Sequence, residues 1–161
     1  MTDRARAGKE AKLERLRLAI TDMADAAEAA RFLLSGGSDI EHMPWHARRA
    51  LETGMFTSYW RAFKKSKGDP PLPPTPTKDL TPTERKTHEW VRDERDKVWA
   101  RSDRDSHRRA TSTQEGPEGI ALVEQWEPPT PEQLKDLAAL ADKLHDRYTR
   151  EAEELYHELH K

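Results

Sequence analysis

The segment Thr81–His107 reads TPTERKTHEWVRDERDKVWARSDRDSH and opens with a strong helix start. Thr81 is a residue type that caps helix N-termini, and Pro82 suits the first helical position. Glu84 stands where a capping box places its carboxylate. The segment therefore predicts a helix over residues 82–101.

One face of this predicted helix mixes apolar and cationic side chains. Three- and four-residue spacing brings together His88, Val91, Arg92, Arg95, Val98 and Trp99. Burying an arginine is costly unless its charge is paired, so arginines on a core-facing stripe either extend to solvent or belong to a polar site. The stripe makes this helix the first place to look for a functional site.

Three further helices are predicted outside this segment. An apolar pattern running from Leu13 to Leu34 predicts a helix over residues 3–35, which Gly36 and Gly37 would end. A second helix is predicted over residues 44–66, where Ala50, Gly54 and Ser58 recur every four positions and would permit close helix approach. The last is predicted over residues 131–160, after a capping box that begins at Thr130.

The segments between these helices have a different character. Residues 68–80 are rich in proline, which predicts a stiff extended connector, or less readily a proline-rich ligand for a partner domain. Residues 102–129 hold a turn-rich block and the β-favouring run Ile120–Val123, so a small hairpin or irregular insertion is expected there. The predicted architecture is a single all-α domain over residues 1–161, roughly a four-helix up-and-down bundle.

Composition limits the classes of protein this chain can be. Charged residues make up 36% of the 161 residues and hydrophobic residues 34%, so the core must be narrow and the helices strongly two-faced. The net charge is only −2, so any nucleic-acid surface must be local. The chain has no cysteine, which excludes disulfides and thiolate metal sites. With no apolar run near ~20 residues, we expect a cytoplasmic protein without membrane contact.

Two segments resemble sequences of a known family, and they occur in the same order along the chain as in that family. The run from Arg95 to Asp103, RDKVWARSD, resembles the R-D-K-x-x-A-H-S-D segment of HEPN-like helical proteins. Upstream, the run from Arg49 to Phe63 resembles the R-A-L…Y-x-R-x-F segment that precedes this motif in a HEPN-like group of small bacterial proteins. The resemblance implies a HEPN-like bundle that forms a homodimer, in a toxin–antitoxin or phage-defence context.

The resemblance also implies a set of site residues. Arg95 and Asp96 match the motif, but Arg101 occupies its histidine position. In the family, arginine contacts phosphate and histidine transfers protons in a metal-independent endoribonuclease. A guanidinium stays protonated and cannot act as a general base. The implied ribonuclease activity is therefore lost or altered, while a phosphate-binding groove would survive the change.

The candidate residues fall into two groups. Residues that would take part in catalysis, if the chain is an enzyme, are Arg95, Asp96, Arg101 and His88. Residues that would bind phosphate, RNA or a nucleotide are Arg61, Arg92, Arg95 and Arg101. His88 is included because it lies two turns before Arg95 on nearly the same face. Arg101 and His107 also fit the loose motif spacing, but such pairs arise by chance in a chain this rich in basic residues.

A second hypothesis is that the chain is not an enzyme and acts only by binding another protein. The missing motif histidine, the balanced charge and the proline-rich connector also fit a helical protein-interaction module. Such a module would be an adaptor, an antitoxin-like partner or a phage-encoded inhibitor, and its partner would be a protein. Neither hypothesis calls for a cofactor or a metal ion.

Overall fold

A computed structural model describes residues 3–36, 40, 42–64, 72, 79–100, 111–116, 119–124 and 127–161. It contains four long helices, α1 (Asp3–Ser35), α2 (Trp45–Arg61), α3 (Pro82–Ala100) and α4 (Pro131–Leu159). Within the predicted insertion, strands β1 (Thr111–Gly116) and β2 (Gly119–Glu124) pair antiparallel, with Thr111 opposite Glu124. Most of the predicted connector 68–80 lies outside the described residues.

Cross-helix contacts fix the direction of each helix. Lys9 and Arg31 of α1 pair with Glu158 and Asp142 of α4, so these two helices run antiparallel. In α2 and α3, Phe56 contacts Trp90 edge to face, with ring centroids 5.2 Å apart.

The remaining contacts complete the arrangement. Tyr59 of α2 bonds His88 of α3, Lys143 of α4 bonds Glu84 of α3, and the C-terminal end of α2 lies beside the first half of α1. Each helix is therefore antiparallel to the next one, and α4 closes onto α1. The predicted all-α, four-helix up-and-down bundle is confirmed.

The helix starts follow their capping sequences. The Thr130 hydroxyl accepts from the Gln133 backbone N–H, and the Gln133 side chain accepts from the Thr130 N–H. Thr81 and Glu84 make the same reciprocal pair at α3. Each box satisfies two backbone donors that have no partner inside the helix.

The core is one cluster of buried side chains drawn from all four helices. In α4 the apolar side chains that recur at helical spacing are the ones expected to face the core. Every one of them is buried: Leu134, Leu137, Ala138, Ala141, Leu144, Tyr148, Ala152, Leu155 and Leu159. In α1 the prediction fails at one end, because Leu34 is 39% exposed and Leu33 is buried instead. Periodicity does not separate two adjacent leucines at a helix end.

The predicted α2 differs from the observed one in two respects. The helix ends at Arg61 and not at residue 66, because Phe63 and Lys64 make i to i−3 bonds that tighten the last turn. Ala50 and Gly54 are exposed, and a methyl group added at Gly54 would meet no neighbour within 4 Å. The small-residue stripe is therefore not a close helix contact, because bulkier residues of α2 face the core.

Candidate functional site

A groove of about 630 Å³ lies where α1, the end of α2 and α3 come together. Its charged lining residues are four cations and one carboxylate. The full lining is Arg15, Leu18, Thr21, Asp22, Thr57, Trp60, Arg61, Lys64 and Arg95. It includes two of the predicted phosphate-binding residues, Arg61 and Arg95, which the chain brings together from different helices.

Arg61, the last residue of α2, projects into the groove toward α1. Its guanidinium Nη2 lies 2.6 Å from Asp22 Oδ1, and the Arg61 side chain is 56% exposed while that of Asp22 is 13% exposed. Burial raises the pKa of Asp22, and the charge and hydrogen bond of Arg61 oppose that rise. The pair therefore joins a mostly buried carboxylate to a solvent-facing cation.

Arg95 approaches the same groove from α3. Its guanidinium carbon lies 4.9 Å from the centroid of the Trp60 ring, within the range of a cation–π contact. The guanidinium also pairs with the neighbouring carboxylate of Asp96, which is exposed. Arg95 is thus held between an aromatic ring and an acid, with its charge at the edge of the groove.

Arg15 of α1 supports the groove rather than extending across it. Its guanidinium donates to the carbonyl oxygens of Arg61, at 3.4 Å, and of Lys64. Those carbonyls lie at the C-terminal end of α2 and just after it, where the negative end of the helix dipole favours a cation. Arg15 therefore fixes the chain direction after α2 and with it the positions of Arg61 and Lys64.

His88 does not lie in the groove. Its ring is buried against Trp60 and Phe63, and Nδ1 lies 3.0 Å from the Tyr59 hydroxyl. Burial, and then the charge of Arg92, lower the pKa of His88, so its imidazole is neutral at pH 7. His88 and Arg95 both contact Trp60, but the His88 ring packs between Trp60 and Phe63 and is not among the described residues that line the groove.

The remaining predicted site residues are Arg92, Asp96 and Arg101, and the first two are not among the described residues that line the groove. Arg92 is exposed on α3, pairs with Asp93 and is not among the lining residues. Arg101 and His107 lie outside the described residues. In the described part of the chain, no group of three or more His, Cys, Asp or Glu side chains comes together as a metal site would require.

Sequence reasoning missed Arg15, Asp22 and Lys64. The first two interrupt the apolar pattern of α1 as ordinary charged residues would, and their sequence neighbours do not mark them. The only local signal is that Asp22 directly precedes Met23 of the core stripe, at the edge where another helix packs. A carboxylate in that position can meet a cation from the neighbouring helix.

The chain matches no protein-family model, no curated protein and no solved structure. Over the described residues, none of the helices combines the length and apolarity needed to cross a membrane.

Proposed function

We propose that this protein is a HEPN-like helical protein that binds single-stranded RNA in the groove lined by Arg61 and Arg95. One observation carries the proposal. Arg61 and Arg95 come from the two separate segments that resemble HEPN-like sequences, and they line one groove. A shared phosphate site requires that residues chosen by motif line the same groove, as these two do.

The chemistry of the lining suits a nucleic-acid strand. Guanidinium groups donate planar pairs of N–H bonds to phosphate, and Lys64 adds a further cation. Trp60 and the exposed side chain of Leu18 supply apolar surface beside these cations. Bases of single-stranded RNA stack on aromatic rings and guanidinium planes while cations follow the backbone.

The groove supports binding better than cleavage. Metal-independent cleavage needs a group that removes the 2′-hydroxyl proton, and none of the described residues that line the groove is a histidine. His88 is buried and bonded to Tyr59. We therefore propose a ribonuclease-like protein whose nuclease activity is lost or altered, acting as a homodimer in toxin–antitoxin or phage defence.

Binding is tested with a short labelled single-stranded RNA and fluorescence anisotropy at several salt concentrations. We expect Arg61→Ala and Arg95→Ala each to weaken binding and to reduce the slope of log K against log salt by about 0.7, the value for one lost phosphate contact. Arg92→Ala is the matched control, because Arg92 is an exposed arginine of α3 outside the groove. If all three variants lost the same affinity for RNA, binding would depend on the overall positive charge and not on the groove.

Cleavage is tested in the presence of a chelator. We expect the protein to leave the RNA intact and Arg101→His to introduce cutting that Arg95→Ala abolishes. Cutting by the unaltered protein would show that another residue transfers the proton. Absence of both cutting and binding would leave only the helical architecture in common with HEPN-like proteins.

A second candidate function is a protein-interaction module. The observation in its favour is that some large apolar side chains face solvent, including Trp45, which is 62% exposed, Phe32 and Leu18. If RNA does not bind and one specific protein co-purifies regardless of Arg61→Ala and Arg95→Ala, this function replaces the first.

A further inference from the structure

We propose that the Asp22 carboxylate occupies the position that a ligand phosphate takes in the groove, and that RNA binds by displacing it from Arg61. This inference rests on the proposed function. It adds that a carboxylate of the protein itself competes with the ligand phosphate for Arg61. Asp22 thereby sets which anions enter: those that bind Arg61 better than a carboxylate already in place.

The geometry of the pair favours such an exchange. Asp22 lies within α1, and its carboxylate is mostly buried, so it has little freedom to follow a moving partner. Arg61 ends α2, and its side chain is more than half exposed. The cation can therefore turn toward a ligand while the carboxylate stays where it is.

The charges around Asp22 come from three helices. From α1, Asp25 raises its pKa and Arg15 lowers it, and from α2 Arg61 lowers it more strongly. Arg95 of α3 and Lys64, after α2, line the same groove. Asp96, which holds Arg95 in a similar way, is exposed and loses little when its partner leaves. Of these two carboxylates, Asp22 is the one whose separation from its partner costs more.

Proton uptake follows from this cost. When Arg61 transfers to a phosphate, Asp22 loses its main counter-charge while it remains largely buried, and its pKa rises further. The complex then binds a proton that the free protein does not, at pH values between the two pKa values of Asp22. RNA affinity must therefore increase as pH falls through that window.

The test compares three proteins with the same labelled single-stranded RNA from about pH 7.5 down to about pH 4, close to the ordinary aspartate pKa. Asp22→Asn keeps the shape and the acceptor oxygen but removes the charge. We expect it to bind about fivefold tighter at the upper pH, which is the size of one partly exposed ion pair. Its affinity should also change less with pH than that of the unaltered protein.

Asp142→Asn is the matched control, because Asp142 also pairs with an arginine between two helices but lies outside the groove. We expect it to behave as the unaltered protein. A second measurement needs no variant. Calorimetry in two buffers of different ionisation enthalpy should show net proton uptake by the unaltered protein on RNA binding, at the pH where its RNA affinity changes most steeply.

The outcomes separate the two proposals. If Arg61→Ala weakens binding but Asp22→Asn leaves both affinity and pH dependence unchanged, Asp22 only supports the fold and the RNA function stands. Absence of proton uptake in the calorimetry would overturn the exchange in the same way. If the unaltered protein does not bind RNA, both proposals are wrong.

Discussion

Two buried tyrosines illustrate how differently one residue type contributes to this protein. The hydroxyl of Tyr59 bonds His88, at 3.0 Å from Nδ1. The hydroxyl of Tyr148 has no hydrogen-bond partner within the described part of the chain. Burial raises the pKa of both groups, so each is neutral at any ordinary pH. Only one of the two hydroxyls stabilises the fold through a hydrogen bond.

Substitution by phenylalanine should separate these roles. We expect Tyr59→Phe to lower the free energy of unfolding by about 1–3 kcal/mol, because a buried nitrogen of His88 loses its partner. Tyr148→Phe should be neutral or stabilising, because it removes a polar group that is buried without a bond. Urea denaturation at pH 7 measures both values. Equal losses would mean that the hydroxyl of Tyr148 is bonded after all.

Residue-level prediction from the sequence identifies two of the five charged residues that line the groove. Arg61 and Arg95 were found through short motifs, which local sequence can carry. Asp22 and Arg15 were not identified, because their contacts depend on which face of α1 packs against α2. That orientation cannot be read from either segment alone. His88 was chosen from its position on α3 alone, but the side chains that cover its ring, Trp60 and Phe63, lie at the end of α2 and just after it.

At the scale of the element, α4 was the most predictable part of the chain. Its capping box is local, and its apolar stripe faces a neighbour along its whole length. The small-residue stripe of α2 suggested a close helix contact that is not formed there. Residue spacing alone does not say which face of a helix packs against another. Met55, Phe56 and Tyr59 are buried on α2, which leaves Gly54 on the outer side.

Two glycines should respond in opposite ways to alanine. Gly36 ends α1, and an added methyl group would lie 2.8 Å from the Phe32 carbonyl oxygen and against the buried side chain of Ile40. We expect Gly36→Ala to destabilise the protein by about 1–3 kcal/mol through overpacking. Gly54→Ala, in an exposed helical position with open space around it, should stabilise by about 0.5–1 kcal/mol.

Thermal unfolding followed by circular dichroism measures both variants. The source of the clash is checked by repeating Gly36→Ala in an Ile40→Ala background, where its cost should shrink. A Gly36→Ala variant as stable as Gly54→Ala would contradict the close approach of Ile40 to the end of α1.

At the scale of the molecule, the bundle is a closed ring of four antiparallel neighbours around one core. The high charge content predicts a narrow core. The helices accordingly bury mostly apolar side chains, and nearly all of their described charged residues are at least partly exposed. Since α1 contacts both α2 and α4, packing defects in one helix reach the others through shared buried neighbours. Unfolding should therefore be a single cooperative event.

A pair of leucines tests this cooperativity. Leu140 of α4 is fully buried, so Leu140→Ala should cost about 2–5 kcal/mol, whereas Leu34→Ala, at an exposed position of α1, should change stability by less than about 0.5 kcal/mol. Helicity, from circular dichroism, and tryptophan fluorescence, to which Trp60 and Trp90 of α2 and α3 contribute, should shift together in Leu140→Ala. A different result would be a fluorescence transition at the midpoint temperature of the unaltered protein and a loss of helicity at a lower temperature. It would show that α2 and α3 fold without α4, so the four helices would not be one cooperative unit.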